Sequence, residues 1–399
     1  MRQKHFRLPI KYHLLNQPLL DKVTSIFKEK FSCEPSLYFS PGRINIIGEH
    51  VDYNDGFVMP AAIDTGVYFA IAKNGSNYLN FFSIDFNEDF SIKLADVKPS
   101  GTWKNYVLSV VNQFTIAGVK IDGFDCVPGG DIPLGSGMSS SAAVEGGIAF
   151  ALNEMYNHGR YSRRELALLN QRAEHDYPNV KCGIMDQFAN MNGRKDSVML
   201  LDCRSLEHEY FPLKLEGYSL ILINSKVHHS LASSAYNERR RQCEEGLRVL
   251  EADSAVKSFR DVTNAEDLLA YKDRMGDEVY MRCLYVVEEI DRTQRAAKLL
   301  QANDIKGLGQ LMFQTHEGLS ILYNVSCREL DFLVEKAKQN PAVIGARLMG
   351  GGFGGCTINI VDDEAVDSFI EQTLAAYKKE TGIQGEAYTV QTGDGTRKI

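Results

Sequence analysis

Long apolar runs are absent from this 399-residue sequence, and no stretch is long enough to span a bilayer. The first fifteen residues mix Arg2, Lys4, Arg7 and Lys11 with short apolar pieces, so they lack the apolar core of a secretory signal. We therefore expect no membrane partner and a cytoplasmic location.

The eight cysteines also lack a pairing pattern. They stand far apart without a C-x-x-C pair, and none lies beside a histidine at the spacing of metal ligands. This spacing argues against a disulfide framework and against a structural zinc site, and it is typical of a protein in a reducing compartment.

A basic stripe is missing as well. The formal net charge is -8, and the lysines and arginines are scattered along the chain. A nucleic-acid surface would concentrate them on one face, so we expect no nucleic-acid partner. Any phosphate that the protein binds must be held by local groups.

The composition that remains is that of an ordinary folded protein, with 44% hydrophobic and 24% charged residues. A chain of this length exceeds the size at which one core stops growing, which predicts one large or two fused domains around a cleft. We place a boundary within residues 202–217, giving domains 1–205 and 206–399.

Apolar periodicity predicts a mixture of strands and helices, and hence an α+β or α/β protein. Helices are expected to begin near Ser139 and at two capping boxes, Ser162 with Glu165 and Ser326 with Glu329. Strands are predicted at 57–73, 78–90, 218–223 and 356–361, and a further helix at 363–379, ending at Gly382.

The most informative segment is Pro133-Leu-Gly-Ser-Gly-Met-Ser-Ser-Ser-Ala-Ala143, which leads into a predicted helix. Glycines at 135 and 137 let backbone amides approach a ligand, and the hydroxyls and free N–H groups of a helix start suit a polyphosphate. No lysine follows, so this is not the P-loop, and it is not a G-x-G-x-x-G fingerprint. A flexible turn with a serine N-cap is the alternative interpretation.

A second polar segment is Pro41-Gly-Arg-Ile-Asn-Ile-Ile-Gly-Glu-His-Val-Asp-Tyr-Asn-Asp-Gly56. It places Glu49, His50 and Asp52 at the end of an apolar strand, and three hydrogen-bonding side chains within four residues suit a polyol. Each of them alone would be an ordinary surface or turn residue.

A third segment is Gly345-Ala-Arg-Leu-Met-Gly-Gly-Gly-Phe-Gly-Gly355. Five glycines in six positions predict a close backbone approach to a neighbour or to a ligand. A structural turn is the alternative.

Together these segments resemble the GHMP kinases and, within them, the galactokinases. The second segment resembles the signature G-R-x-N-[LI]-I-G-E-H-x-D-Y-N-x-G, the first the motif P-x-G-x-G-[LM]-S-S-S-A, and the third the motif G-G-G-F-G-G. The resemblance extends, in the family's order, to Gln171-Arg-Ala-Glu-His175, Cys182-Gly-Ile-Met-Asp-Gln-Phe188 and Asn224-Ser-Lys-Val-His-His-Ser230 through Tyr236 to Cys243.

The resemblance implies a two-domain α+β fold with the active site between the domains. It also implies an enzyme of galactose metabolism that transfers the γ-phosphate of ATP to the anomeric C1 hydroxyl of galactose. A monomer is expected, with galactose and ATP as its small-molecule substrates.

The same resemblance assigns the site residues. The substrate-binding residues would be Glu49, His50, Val51, Asp52, Gly183 and Tyr236. Asp186 resembles the catalytic carboxylate that accepts the proton of the attacking hydroxyl, and Arg43 resembles the arginine beside it and the transferring phosphoryl group. Taken alone, Tyr236 would be a core aromatic, Asp186 an N-cap and Arg43 a partner in a structural salt bridge.

The resemblance likewise assigns the phosphates and the metal. The ATP-binding residues would be Gly135, Ser136, Gly137, Met138, Ser139, Ser140 and Ser141. Mg²⁺ would be held by Ser141 and Glu174, two hard oxygen ligands that suit this ion. Without the resemblance, Glu174 would be interpreted as a solvated helix residue. Residues 103–106 resemble the part of the family near the adenine, and a place in the core is the alternative interpretation for Trp103.

The sequence departs from the family pattern at a few places. Val51 replaces a threonine, Ser136 and Met138 vary the phosphate motif, and Met349 stands where threonine is common. Residues 318–323 read Gly-Leu-Ser-Ile-Leu-Tyr, where many relatives have S-L-R-D-D-Y. The missing acidic pair leaves the packing of that loop open.

Two alternatives stay open for the function. One is another kinase of the same family, acting on N-acetylgalactosamine, arabinose or mevalonate. The other is a non-catalytic sensor of galactose and ATP. Such a sensor is expected to lose a catalytic element, whereas this chain retains Asp186, Arg43, Ser141 and Glu174.

Overall fold

The computed structural model describes residues 15–133, 135–227 and 232–399. In these ranges the chain forms eleven α-helices and thirteen strands. The helices α1 to α11 are Gln17–Phe31, Asn105–Ile116, Ser140–Asn157, Arg163–Asp176, Met185–Asn192, Ala232–Asp253, Lys272–Met275, Asp277–Gln301, Ile305–Glu317, Arg328–Gln339 and Val366–Thr381. The strands β1 to β13 are Ser36–Asn45, Phe57–Val58, Pro60–Lys73, Tyr78–Ser83, Glu88–Lys93, Phe124–Gly130, Ser197–Asp202, His208–Pro212, Tyr218–Asn224, Val343–Leu348, Cys356–Asp362, Glu386–Val390 and Arg397–Lys398.

Short helical turns complete these ranges. The 3₁₀ turns are Asp52–Asn54, Leu94–Asp96, Phe259–Asp261, Ala265–Tyr271 and Asp363–Ala365, and Gly318–Leu322 forms a π-helix.

A six-stranded sheet with the order β13-β1-β3-β6-β4-β5 forms the centre of the first half. All its pairs are antiparallel except β4 with β6. Side chains of β3 alternate between the two faces: Tyr68 packs in the cluster that contains α1, and Phe69 in the cluster that contains α3. Helices therefore cover both faces of this sheet, with α1 on one face and α3 on the other.

A four-stranded antiparallel sheet with the order β10-β11-β9-β12 lies in the second half and is covered by α10 and α11. A smaller sheet has the order β2-β7-β8. The last strand, β13, returns to the first sheet, where Ile399 N donates to Leu37 O. The expected division at 205/206 falls inside the β7–β8 hairpin, in which Leu201 pairs with His208. The division stays a prediction.

The strands predicted at 218–223 and 356–361 and most of the predicted helices are confirmed, with shifted ends. The single strand predicted at 78–90 was wrong, because the chain turns after Ser83 and forms the β4–β5 hairpin, and the strand predicted at 57–73 is divided into β2 and β3, which belong to different sheets. The Ser162 capping box is present, because Ser162 Oγ accepts from Glu165 N and Glu165 accepts from Ser162 N at 2.7 Å. The helix predicted from 363 begins with a 3₁₀ turn and becomes α-helical at Val366, and it ends at Gly382 in the left-handed region, as predicted.

The second capping box was wrong. Helix α10 begins at Arg328 with Cys327 as its N-cap residue, and Cys327 makes no side-chain cap bond. The Ser326 hydroxyl donates instead to Asp331 Oδ1 at 2.6 Å. The Ser326 hydroxyl therefore bonds to a carboxylate one turn into the helix, and it does not cap the helix as the pattern predicted.

All eight cysteines are free thiols. Within the described ranges, no helix combines the length and the apolar character that crossing a membrane requires.

Candidate active site

The three segments quoted in the sequence analysis, at 41–56, 133–143 and 345–355, meet at one place. A Cβ on Gly42 would lie 2.7 Å from Met138 O, and one on Gly350 would lie 3.3 Å from Gly137 O. Other glycines of the third segment approach the backbone of distant loops, since a Cβ on Gly352 would lie 2.2 Å from Val325 O. The predicted close backbone approach is therefore confirmed, and a side chain at these positions would separate the segments.

Arg43 is directed into this junction by an irregularity in β1. The pairing of β1 with β3 shifts register between Pro41 and Arg43, and such bulges re-aim side chains. The Arg43 guanidinium donates to both oxygens of Asp186, at 2.8 and 2.9 Å, and also to Gly137 O. Arg43 is 5% exposed. This bidentate pair joins the first sheet to α5 and to the glycine loop.

Ser139 makes the third contact with Asp186. It occupies the N-cap position of α3 with a φ of 59°, but its side chain makes no cap bond; Ser139 Oγ donates to Asp186 Oδ2 at 2.6 Å. The alternative of a serine N-cap is therefore wrong at this residue. Asp186 is not an N-cap either, because that position of α5 belongs to Ile184. Three donors thus hold the Asp186 carboxylate in place.

Beside Asp186 lies a cavity of about 120 Å³. Its lining residues are Arg43, Glu49, His50, Asp52, Glu174, Val180, Cys182, Gly183, Met185, Asp186, Tyr236, Gly350 and Gly351. The structure therefore brings both predicted catalytic residues, five of the six predicted substrate-binding residues and one predicted metal ligand to one cavity.

Val51 is the exception. Its side chain is fully buried in the hydrophobic core, and it does not line the cavity. Its carbonyl oxygen accepts from Asn54 N and Gly56 N, which shapes the turn behind Asp52. The structure therefore offers no contact of the Val51 side chain with a substrate, because the side chain points away into the core.

Asp52 and Gly183 depend on each other. Asp52 accepts from Tyr53 N at 3.1 Å and from Met185 N at 3.3 Å. A Cβ on Gly183 would lie 2.0 Å from Asp52 Oδ2, so only glycine leaves room for this carboxyl group. Burial, together with the nearby charge of Asp186, raises the pKa of Asp52 to about 7.

Glu49 is held by an arginine that the sequence analysis missed. Arg347 Nη1 donates to Glu49 Oε1 at 3.0 Å, and Gly350 N donates to the same oxygen at 2.8 Å. Arg347 is completely buried and also donates to Ile46 O. A charged residue inside an apolar strand just before the glycines was the available signal.

His50 stands among aromatic rings with a φ of 60°. Its Nδ1 lies 2.7 Å from the Tyr53 hydroxyl and its Nε2 lies 3.2 Å from Gly351 O. The Tyr236 ring lies 5.1 Å from the imidazole between centroids. Burial lowers the pKa of His50 to about 4, so the imidazole is neutral.

Two residues of α8, in the second half of the chain, bond to the backbone next to His50. Glu289 Oε1 accepts from Gly48 N at 2.8 Å, and the Tyr285 hydroxyl donates to Glu49 O at 2.9 Å. Glu289 also pairs with Arg292. No motif pointed to these residues, since their contacts lie more than 200 positions away in the chain.

Ser141 and Glu174 come together as the resemblance implied. The Ser141 hydroxyl lies near the Glu174 carboxyl and is one of the groups that oppose the rise in its pKa. The carboxyl accepts from Gln187 Nε2 at 2.5 Å. Glu174 is buried, so its alternative as a solvated helix residue is wrong. Burial, with the charge of Asp186 as the second cause, raises its pKa to about 7.

This pair fits a magnesium ion that has few protein ligands. The described residues contain no group of three or more histidine, cysteine, aspartate or glutamate side chains arranged for a metal. Mg²⁺ rarely receives such a cage and is usually bound by one or two carboxylates with substrate phosphates and water. A hydroxyl and a carboxyl at the mouth of the glycine loop match that donor set.

The predicted phosphate loop has the backbone that the glycines suggested. Gly135 and Gly137 have positive φ values of 69° and 73°. Ser136 is buried, and its hydroxyl has no hydrogen-bond partner among the residues that the structure describes, while Met138 packs in the core. Ser140 and Ser141 begin α3, where the first N–H groups have no partner within the helix.

Parts of the quoted motifs lie outside the described residues: Leu134 of the phosphate motif, and His228, His229 and Ser230 before α6. Trp103 is described, and its ring stacks on Phe86 while Nε1 donates to Glu88. These contacts leave its predicted place near an adenine untested.

Models of known families match three parts of the chain. A galactokinase galactose-binding signature matches residues 25–73, the GHMP kinase N-terminal domain residues 105–194, and the GHMP kinase C-terminal domain residues 296–379. The first two matches contain the cavity-lining residues whose numbers run from 43 to 186.

Curated relatives match over nearly the full length. The chain is 39% identical to a galactokinase of Clostridium perfringens, over 95% of this chain and 100% of the relative. It is also 39% identical to a galactokinase of Thermotoga maritima, over 90% and 99%.

Solved structures agree. The galactokinase of Lactococcus lactis, complexed with galactose, superposes with a TM-score of 0.92 at 34% identity and covers 95% of this chain and 100% of its own. A mevalonate kinase of Methanococcus jannaschii, with a TM-score of 0.64 at 17% identity, shares the fold. The full-length matches at 34–39% identity leave one conclusion: the chain belongs to the galactokinase family, within the GHMP kinases.

Proposed function

We propose that this protein transfers the γ-phosphate of ATP to the anomeric C1 hydroxyl of α-D-galactose, giving galactose 1-phosphate and ADP. The observation that carries the proposal is the position of Asp186. Its carboxylate is held by Arg43 and Ser139 at the wall of a cavity that also presents Glu49 and Asp52. A base beside a polar cavity for a polyol is what phosphorylation of a sugar hydroxyl requires.

In the proposed reaction, the C1 oxygen forms a bond to the γ-phosphorus and the bond from that phosphorus to the bridging oxygen of ADP breaks. The proton of the C1 hydroxyl goes to Asp186. Arg43 stabilises the charge on the transferring phosphoryl oxygens and fixes the orientation of Asp186. Positioning and charge stabilisation supply most of the catalysis in phosphoryl transfer, since little covalent chemistry is left to the protein.

The sugar hydroxyls are proposed to bind to Glu49, His50 and Asp52, with Gly183 and Tyr236 completing the cavity. The phosphates of ATP are proposed to lie along residues 135–141, where the glycines and the start of α3 offer backbone N–H groups. Ser141 and Glu174 would hold Mg²⁺, which when bound supplies positive charge for the phosphate oxygens.

The test is ATP- and Mg²⁺-dependent phosphorylation of galactose, N-acetylgalactosamine, glucose, arabinose and mevalonate, with the phosphate of the product located by NMR. We expect a strong preference for galactose and phosphate on C1. Turnover of another substrate would keep the family and change the substrate. Binding of galactose and ATP without turnover would support the sensor and contradict the proposed reaction.

A monomer in the cytoplasm completes the proposal. The free thiols are consistent with a reducing compartment. Sedimentation of the purified protein tests the monomer, and a dimer that persists at low concentration would contradict it.

A further inference from the structure

A chain of hydrogen bonds leads from the second half of the protein to the imidazole of His50. Cys243 Sγ lies 3.2 Å from the Tyr323 hydroxyl, which lies 2.8 Å from the Tyr53 hydroxyl. The Tyr53 hydroxyl lies 2.7 Å from His50 Nδ1, and His50 Nε2 lies 3.2 Å from Gly351 O. We call Cys243, Tyr323, Tyr53 and His50 the tyrosine relay.

The direction of the relay follows from its last member. A carbonyl oxygen such as Gly351 O only accepts hydrogen bonds, so His50 Nε2 must carry the proton. Nδ1 of a neutral imidazole then accepts, and the Tyr53 hydroxyl donates to it. Because Tyr53 has one proton, its oxygen accepts from Tyr323, and the oxygen of Tyr323 in turn accepts from the Cys243 thiol.

The environment keeps every member of the relay in the required protonation state. Burial lowers the pKa of His50 to about 4 and raises the pKa of Cys243 to about 11. Burial also raises the pKa values of Tyr53 and Tyr323 well above their usual range. At neutral pH the thiol and both phenols therefore carry their protons, and the imidazole has one acceptor nitrogen.

The segment that departs from the family pattern places Tyr323 in the relay. Gly318–Leu322 is a π-helix, a form that often occurs at functional sites. Arg239 fixes the end of this segment by donating to Tyr323 O at 2.8 Å and to Asn324 O at 2.9 Å. Tyr323 is fully buried, so its hydroxyl has little freedom to turn away.

The other end of the relay reaches the cavity, where His50 and Gly351 both belong to the lining. We propose that the tyrosine relay and Gly351 O together fix His50 in the Nε2–H tautomer, so that a sugar hydroxyl can share the Nε2–H with Gly351 O but finds no free acceptor on the imidazole. Tyr53 and Tyr323 are then positioning residues for the sugar. The tautomer does not depend on which substrate is bound, whereas the contact with a sugar rests on the proposed function.

The tautomer is tested by ¹⁵N NMR of the histidine side chains in the ligand-free protein, with the His50 signals assigned by their loss in His50→Gln. We expect a protonated Nε2 and an unprotonated Nδ1 in the wild-type protein. Tyr53→Phe removes the donor to Nδ1 and leaves the tautomer to the contact with Gly351 O, so a measurable share of the Nδ1–H tautomer should appear, and an unchanged tautomer would overturn the role of Tyr53. Tyr78→Phe, which removes a hydroxyl from the exposed Tyr78 of β4, is the matched control and should change nothing. An Nδ1–H tautomer or a charged imidazole in the wild type would overturn the relay.

The contact is tested with galactose analogues in which one hydroxyl at a time, other than that on C1, is replaced by hydrogen or by fluorine. Fluorine accepts a hydrogen bond weakly and donates none. At one ring position the fluoro analogue should bind more tightly than the deoxy analogue. This preference should shrink in Tyr53→Phe and Tyr323→Phe, whose KM for galactose rises about five- to ten-fold while kcat changes less.

Equal binding of the two analogues at every position would overturn the donor role of His50. Equal falls in kcat and kcat/KM without a change in KM would overturn the positioning role of the two tyrosines. A wild-type protein that binds no galactose would overturn the proposed function, while the NMR result would still decide the tautomer, so the two failures are distinguishable.

Discussion

Individual residues in the cavity combine close approach with buried charge. Asp52 lies against Gly183 with no room for a Cβ, and Glu49 depends on the buried Arg347. Holding these carboxylates in place for a ligand therefore lowers the stability of the ligand-free protein, as is common at functional sites. Two substitutions test this description.

Gly183→Ala should damage the sugar site more than the fold. The new methyl group would lie 2.0 Å from Asp52 Oδ2, so the carboxyl group must move away from its bonds to Tyr53 N and Met185 N. We expect KM for galactose to rise at least ten-fold and the free energy of unfolding to fall by about 1–3 kcal/mol. Steady-state kinetics and urea unfolding measure these changes.

Gly217→Ala is the control for backbone strain, because Gly217 has a φ of 82° and open space around it. It should cost about 1 kcal/mol of stability and leave KM unchanged. An unchanged KM in Gly183→Ala would show that Asp52 does not depend on that glycine.

Asp52→Asn should stabilise the ligand-free protein above neutral pH. Its folded-state pKa of about 7 lies above its usual value, so folding favours the protonated carboxyl. The wild type therefore has this contribution below pH 4 and loses it as the pH rises to 7 and above. The substitution removes the buried charge, so the gain in the free energy of unfolding should be about 1–3 kcal/mol at pH 8 and near zero at pH 4. Sugar binding should be lost.

Thermal unfolding of both proteins at pH 4, 6 and 8 gives the comparison. A larger gain at pH 4 than at pH 8 would contradict the raised pKa.

At the scale of elements, each part of the site is held at the end of a strand or a helix. The bulge in β1 directs Arg43, the start of α3 carries the serines, and α4 and α5 supply Glu174 and Asp186. Caps and register shifts therefore matter for function because they set where the side chains stand.

Ser162→Ala should loosen the start of α4, since Ser162 Oγ accepts from Glu165 N. The expected loss is about 1 kcal/mol, with faster amide hydrogen exchange in the first turn of α4. Ser326→Ala is the contrasting variant, because Ser326 bonds to Asp331 and does not cap α10. It should leave exchange in the first turn of α10 unchanged, and faster exchange there would contradict the correction of that capping box.

Local sequence patterns were sufficient for the strands at 218–223 and 356–361 and for the first capping box, whereas the cavity residues within the motifs were assigned by the family resemblance. Local patterns failed at Ser326, whose hydroxyl donates to a carboxylate. Val51, which the resemblance placed among the substrate-binding residues although it departs from the family pattern, has its side chain in the core. Periodicity predicts which elements form, but it does not determine which neighbouring residue a side chain contacts.

At the scale of the whole molecule, both halves contribute to one cavity. The first half supplies Arg43, Asp52 and Asp186, while the second half supplies Tyr236 and the backbone of Gly351. Residues that hold the site from behind, such as Glu289 and Tyr285, could not be predicted. Their contacts join segments hundreds of residues apart, and a buried glutamate or tyrosine within a helix has no local motif.

The central claim is that Asp186 accepts the proton of the sugar hydroxyl, with Arg43 and Ser139 holding it in place. The most direct measurement compares galactose turnover and calorimetric galactose binding in the wild type and in Asp186→Ala, with Asp186→Asn as the variant that retains the shape of the side chain. We predict that turnover falls at least a thousand-fold in both variants, corresponding to about 4 kcal/mol in the barrier, while galactose affinity changes only a few-fold. Turnover close to that of the wild type in either variant would contradict the role of Asp186.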